Sequence, residues 1–450
     1  MSALYLISLV AVSILVLLVL IIFLRIQAFI ALLIVSMGVA LAAGIPVDEI
    51  IGIMQKGMGG TLGHIAIIIG IGTMIGELLQ ASGGAQKIAQ TIMKKFGEEK
   101  APRALTLIGM IVAIPVFFEV ALILFIPLVY DMAKKSGKSI LFYGIPLVAG
   151  IAVAHAFIPP TPGPVTVAVL LNADIGWVIV FGLIAGIPAA IAGGIVWGKY
   201  IGDRIMVPVP EVMLSRFEAR PQDKDRSTPA FWIAVMIILI PLILILSNTV
   251  SGLILPEEHT ARVWFAFIGH PFTALLIAVL PAFYFLGTRL GFTREEVFQI
   301  ATRSMQPVGM ILLLTGAGGV FGQVLNHTGI GEHLVELLQA SNLPIVLFAF
   351  LLAATIRVAQ GSATVAMVTT AGLLAPLMGS GAYAAPLVGA IVISIACGAT
   401  ILSHVNDTGF WMVKEFMGMT EKQTLYSWTV METIIGFTGL AVLLMISFFL

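Results

Sequence analysis

Apolar residues run along this chain in long blocks, not in the short amphipathic patches of a soluble fold. Residues 4–24, 29–43, 230–246 and 434–450 each approach the roughly 20 residues that a bilayer-spanning helix needs. Such blocks recur from end to end, which predicts an all-α polytopic membrane protein. Polar positions fall in loops between blocks, but also inside blocks, at what should be membrane depth. The interruptions are IPVFFE (114–119), HAFIPPTPGP (155–164), RVAQGSAT (357–364) and TILSHVNDTG (400–409). Irregular backbone at that depth is tolerated only where protein buries it or a watery cavity meets it.

The pattern also repeats. Residues 65–85, IAIIIGIGTMIGELLQASGGA, match residues 311–331, ILLLTGAGGVFGQVLNHTGIG, with Gly70/Gly316, Gly72/Gly318, Gly76/Gly322, Leu79/Leu325 and Gly83/Gly329 at one offset. The same offset pairs Glu49 with Glu295 and Gly163 with Gly409. Two membrane repeats are expected, residues 1–201 and 230–450, joined by a charged cytoplasmic linker over 202–229. The short segments 48–56 and 294–303 read as interfacial helices between spans.

Charge then orients the halves. Lys87, Lys94, Lys95, Lys100 and Arg103 precede residues 104–130, and Lys134, Lys135 and Lys138 follow them. Both basic loops should be cytoplasmic, so 104–130 reads as a re-entrant hairpin broken at Pro115, which removes a backbone donor. The second half has a similar polar break within 344–378 but no lysine or arginine on its flanks, so this hairpin should open outside. The result is an inverted repeat of five transmembrane helices plus one re-entrant hairpin per half, the arrangement of many secondary transporters. Both termini are then outside. Of the 23 lysines and arginines, only Lys56, Arg262 and the hairpin-tip Arg357 face that side.

Two hairpin tips and two unwound helices related by the repeat should converge near the midplane as a binding site. Gly361, Ser362 and Thr364 start a hairpin arm, whose free N–H groups and hydroxyls suit an oxygen-rich anion; simple N-capping by Ser362 is the bland alternative. Arg357 either grips a carboxylate bidentately or neutralises the negative end of the first arm. Glu119, behind two phenylalanines, suits a proton carrier, or else caps its arm. His155 either relays protons or is a buried neutral histidine. Thr161 and Gly163 lie in the proline-rich break, and Asn406, Asp407 and Thr408 bring donors and acceptors together in the last one. Asp407 is left open between substrate, proton and turn.

Composition narrows the class. At 59% hydrophobic and 10% charged residues, the chain lies far outside the soluble range. The first basic residue is Arg25, so the opening block reads as a retained helix and not a signal peptide. One cysteine, Cys397, allows no internal disulfide, and zero formal net charge gives no hint of nucleic acid. No metal or cofactor is called for.

With HAFIPPTPGP, FFEVALILFIPL, RVAQGSATVA and SHVNDTGFW in place, the chain resembles the gluconate permease family of the larger ion transporter superfamily. That resemblance implies a bacterial inner-membrane proton symporter for gluconate or a related sugar acid, with a D-serine branch in the family. It also implies a scaffold domain, usually dimeric, and a moving transport domain. SHVND followed by GFW is similar to the gluconate branch. Thr408 and Thr161 depart from it, standing where proline and histidine are common. The alternatives in the transporter class are sodium coupling or another small hydroxy acid. An intramembrane hydrolase using Ser362 with His404 lacks both HExxH and GxSxG, and a channel lacks a repeated filter motif.

Overall fold

In a computed structural model the chain is described over residues 3–210, 227–256, 258–306, 308–329, 343–379, 383–405 and 407–450. Those residues form helices and connecting turns, with no strand among them. Seven helical segments among them are long and apolar enough to cross a membrane: Val47–Ala81, Ile140–Leu170, Ile175–Arg204, Phe231–Ile254, Pro271–Leu290, Arg294–His327 and Glu421–Ser447. The protein is therefore a helical multi-pass membrane protein. Residues 211–226, in the expected linker, lie outside the described residues, as does Asn406.

The chain opens with α1 (Ala3–Leu18), α2 (Ala28–Ala42) and α3 (Val47–Ala81). The separate interfacial helix expected over 48–56 does not exist as such. Those residues are the first turns of α3, a single helix of 35 residues. The physical reason is local: no proline occurs between Val47 and Ala81, and isolated glycines weaken a helix without breaking it. Its counterpart does break, into α14 (Arg294–Ser304) and α15 (Val308–His327). There the sequence carries Pro307, and α14 has its own start signal, a capping box of Thr293 with Glu296.

After α4 (Gly84–Phe96) come α5 (Ala101–Val112) and α6 (Phe118–Ser136), separated by irregular chain around Pro115. Then α7 (Ile140–Phe157) and α8 (Pro162–Leu170) flank the proline-rich break, with Pro162 at the first turn of α8 where its missing N–H costs nothing. α9 (Ile175–Ala190) continues through a π-turn into α10 (Trp197–Arg204), which ends three residues inside the expected linker. The second half holds α11 (Phe231–Ile254), α12 (Thr260–Ile268), α13 (Pro271–Ala282), α14 and α15. α16 (Ile345–Gln360) and α17 (Ala363–Gly379) follow, then α18 (Ala385–Thr400), α19 (Thr408–Met417), α20 (Glu421–Thr424) and α21 (Val430–Ser447).

Packing places the two broken helices at the centre. All of α18 from Val388 to Thr400 is buried, and α7 is buried along nearly its whole length. α7 packs on α5, α6 and α9, while α18 packs on α16, α9 and α21. α3 and α15, the glycine-rich pair with matching sequences, pack directly on each other. A Cβ on Gly319 would come within 2.0 Å of the Thr61 hydroxyl, so that contact depends on a bare backbone.

A candidate substrate site where four helix breaks meet

Each break has a local cause. α5 ends at Val112, and α6 restarts at Phe118 with Glu119 in its first turn, where a carboxylate complements the free N–H groups. α16 ends at Gly361, whose φ of +91° is a left-handed conformation that glycine adopts without strain. Ser362 then caps α17 through a long bond from the Val365 N–H to its Oγ, 3.4 Å. α18 ends at Thr400, and α19 begins behind Asp407, whose Oδ1 accepts from the Gly409 N–H at 3.1 Å.

Residues from all four breaks line one cavity of about 210 Å³. Glu119 comes from the first break, His155 and Gly163 from the second, Ser362 and Thr364 from the third, Asp407 and Thr408 from the fourth. Arg357 also faces it, from the last turn of α16. Two expected residues are beside the cavity and not in its lining. Thr161 is buried, donates to the Ile158 carbonyl at 2.7 Å and borders a narrow crevice shared with His155. Gly361 offers its carbonyl to the Arg357 guanidinium.

The centre of the arrangement is an ion pair. Arg357 Nη2 lies 2.6 Å from Asp407 Oδ2, with the arginine 3% and the aspartate 13% exposed. Arg357 Nη1 donates to the Gly361 carbonyl at the end of its own helix. The planar fork is thus engaged within the protein in this state, tying the α16–α17 turn to the α18–α19 turn. Asp407 receives two further contacts, the cap from Gly409 and a 2.5 Å bond from the Ser403 hydroxyl. Ser403 in turn accepts from Trp428 Nε1 at 2.7 Å, and its carbonyl accepts from the Thr429 hydroxyl. The Leu402 N–H donates to Thr433 Oγ1 at 3.2 Å, so α21 and the turn before it hold the unwound segment.

Glu119 differs in its surroundings from the sequence expectation. Glu119 follows Phe117 and Phe118, yet its side chain is exposed, because those rings turn to His155 and Trp428 and leave the carboxylate at the cavity mouth. The buried acid is Glu432, on α21, which lines the same cavity at 4% exposure. Sequence reasoning missed it, together with Trp428 and Ser403. A signal was present: Glu432 is a lone acid leading an otherwise apolar stretch, VMETIIGF, and an intramembrane acid is functional by default. Attention to breaks passed over it because α21 is unbroken.

A larger cavity, about 490 Å³, lies elsewhere, between α3, α9, α11, α13 and α15. Lys56, His64, Asn172, Asp174, His270 and Gln323 are among its walls, and none of the four breaks contributes to it. Size alone would favour it. The convergence of broken backbone and buried charge favours the smaller one, since a substrate displaced from water needs unpaired backbone and charge to receive it.

Comparison with known proteins agrees with a transporter. The family model described as GntP family permease matches residues 5–449. The low-affinity gluconate transporter of Escherichia coli (strain K12) is 43% identical over 97% of this chain and 96% of its own. The gluconate permease of Bacillus licheniformis is 40% identical over 98% of this chain and 99% of its own. Among solved structures, the YdaH transporter of Alcanivorax borkumensis superposes with a TM-score of 0.60 over 90% of each chain at 14% identity, a likeness of fold. With a family match over nearly its whole length and relatives at these identities, the chain belongs to the GntP permease family and is a membrane transporter.

Proposed function

We propose that the protein is a secondary active transporter that brings gluconate, or a closely related sugar acid, into the cell by proton symport. The observation that carries this reading is the convergence of four helix breaks on one polar cavity. At about 210 Å³ that cavity lies below the usual range for drug-sized ligands and suits a small polyhydroxylated anion. Relatives over nearly the full length are named for gluconate transport.

In this reading the substrate carboxylate meets the N-terminal end of α17, where Gly361, Ser362 and Thr364 offer N–H groups and hydroxyls. Gly163, Thr408 and Asn406 supply partners for the substrate hydroxyls, with Thr161 behind them. Arg357 and Asp407 hold the two turns in register and open to the substrate as it binds. Glu119 and His155 pass protons at the mouth, and Asp407 belongs to the same network. The remaining architecture is proposed with it: repeats over 1–201 and 230–450, inverted, each with a re-entrant hairpin, and a linker over 202–229. Scaffold and transport domains, a homodimer, a bacterial inner membrane and both termini outside complete the proposal. The matching glycines and the basic loops at Lys94 and Lys134 support it.

The test is uptake by the purified full chain in proteoliposomes. An inward proton gradient is expected to drive gluconate accumulation that a protonophore abolishes and that persists when choline replaces sodium. Competition by other aldonates, glycerate and D-serine ranks the substrate class. Accumulation that depends on sodium, or no uptake of any sugar acid, would overturn the reading.

A further inference from the structure

Glu432 has no role in the site as built so far, yet its surroundings are the most demanding in the cavity. It is 4% exposed, lines the cavity beside Arg357 and Asp407, and its Oε1 has no hydrogen-bond partner among the described residues. A buried carboxylate with an oxygen unpartnered is costly, because neither water nor a donor replaces its lost hydration. The obvious counter-charge, Arg357, has its terminal nitrogens committed, and only its Nε is left without a hydrogen-bond partner among the described residues. Both terminal nitrogens of Arg357 are engaged, one with Asp407 and one with the Gly361 carbonyl.

We propose that Glu432 is a protonation site that couples proton binding to anion binding in this cavity. The proposal rests on the transport reading above and adds the residue on which the coupling proton resides. Its logic is a charge balance. Glu119, Asp407 and Glu432 face the cavity against the single guanidinium of Arg357. A substrate carboxylate adds one more negative charge to a confined space. A proton on Glu432 removes one negative charge from the wall and turns an unpartnered acceptor into an O–H donor aimed at the substrate. Only an O–H bond is made and broken: the proton arrives from one compartment with the anion and leaves to the other after it. Linkage makes the effect reciprocal, so bound anion favours the protonated carboxyl as much as the proton favours the anion.

Among the described residues, the elements packed on α21 bring few other titratable groups near this position, and His155 is the one that also lines the cavity. α16 contributes only Arg357, and α18 only Cys397, whose thiol contacts the glycine face of α21 at Gly439. α9 and the π-turn after it contribute none. α7 carries Tyr143 and His155, and the turn preceding α21 carries Tyr426, which is 56% exposed. His155 lines the cavity too, and its Nδ1 has no partner among the described residues. It is the natural relay between the mouth at Glu119 and Glu432.

The test uses the purified full-length protein in detergent, in weakly buffered solution with a pH indicator and gluconate as probe. Wild-type protein is expected to take up about one proton per gluconate bound, and its gluconate affinity to fall about tenfold per pH unit on the alkaline side. Glu432→Gln, which mimics the protonated carboxyl, is expected to bind gluconate without proton uptake and with an affinity that no longer varies with pH. Binding by the variant with undiminished proton uptake would overturn the assignment while leaving the transport reading standing. No gluconate binding by wild-type protein at any pH would instead sink the transport reading. Infrared difference spectra of wild-type protein serve as a second measurement that needs no variant. A rise in protonated-carboxyl absorption on adding gluconate supports the site, and its absence overturns it.

Discussion

The Arg357–Asp407 pair joins two chain breaks across 50 residues of sequence, and its energetics follow from burial. With the arginine 3% and the aspartate 13% exposed, neither charge is well hydrated if the other is removed. Losing one partner of such a pair costs about 3–5 kcal/mol, whereas removing both charges together can be nearly neutral. Arg357→Gln and Asp407→Asn are each expected to lower the melting temperature in detergent sharply. The double variant should recover much of the loss, and additive losses in that cycle would show that the two side chains do not act as a pair. The acid at Glu119 teaches a related lesson. Two neighbouring phenylalanines in sequence suggest an apolar pocket, but in a helix adjacent side chains point in different directions. Phe118 packs on Trp428 and Phe117 on His155, and the carboxylate is left at the mouth.

Among the elements, α3 and the α5–α6 turn show how broken backbone is held in place. An added Cβ at Gly76 would come 1.9 Å from the Pro115 carbonyl, so α3 must be bare where the turn passes it. An added Cβ at Gly72 would meet the Pro160 ring of the second break at 3.6 Å, an ordinary contact, so α3 lies against that break without having to be bare there. One helix therefore lies against two of the four breaks, closely at Pro115 and in ordinary contact at Pro160. Backbone on the far side cannot move aside as a flexible side chain would, so Gly76→Ala should cost about 1–3 kcal/mol, the range for overpacking. Thermal unfolding in detergent measures this. A fully stable variant would mean that the turn yields freely and that α3 does not brace it. The breaks themselves were legible in the sequence, because proline, glycine and polar residues stop helices by local chemistry. The continuity of α3 was also local, since no proline interrupts residues 47–81.

For the whole molecule, orientation in the membrane is the property most open to direct test. The native cysteine, Cys397, is fully buried against α21 and should not react with reagents in either compartment. Single cysteines placed at exposed positions then report sidedness cleanly. Lys95→Cys should be labelled by an impermeant maleimide only after the membrane is opened, and Lys56→Cys in intact spheroplasts. The reverse pattern would invert the proposed topology.

Local chemistry written along the chain determined the membrane class, the positions of the four breaks, most of the polar residues of the site and the resemblance to gluconate permeases. Each depends on runs of apolar residues, on residues that cannot continue a helix, or on short motifs. The tertiary structure decided which charges meet. That Arg357 is engaged by Asp407, that Glu119 is exposed, and that Glu432 on an unbroken helix is the buried acid all depend on how distant helices pack. Burial is a property of neighbours on other helices, which the sequence places tens to hundreds of residues apart.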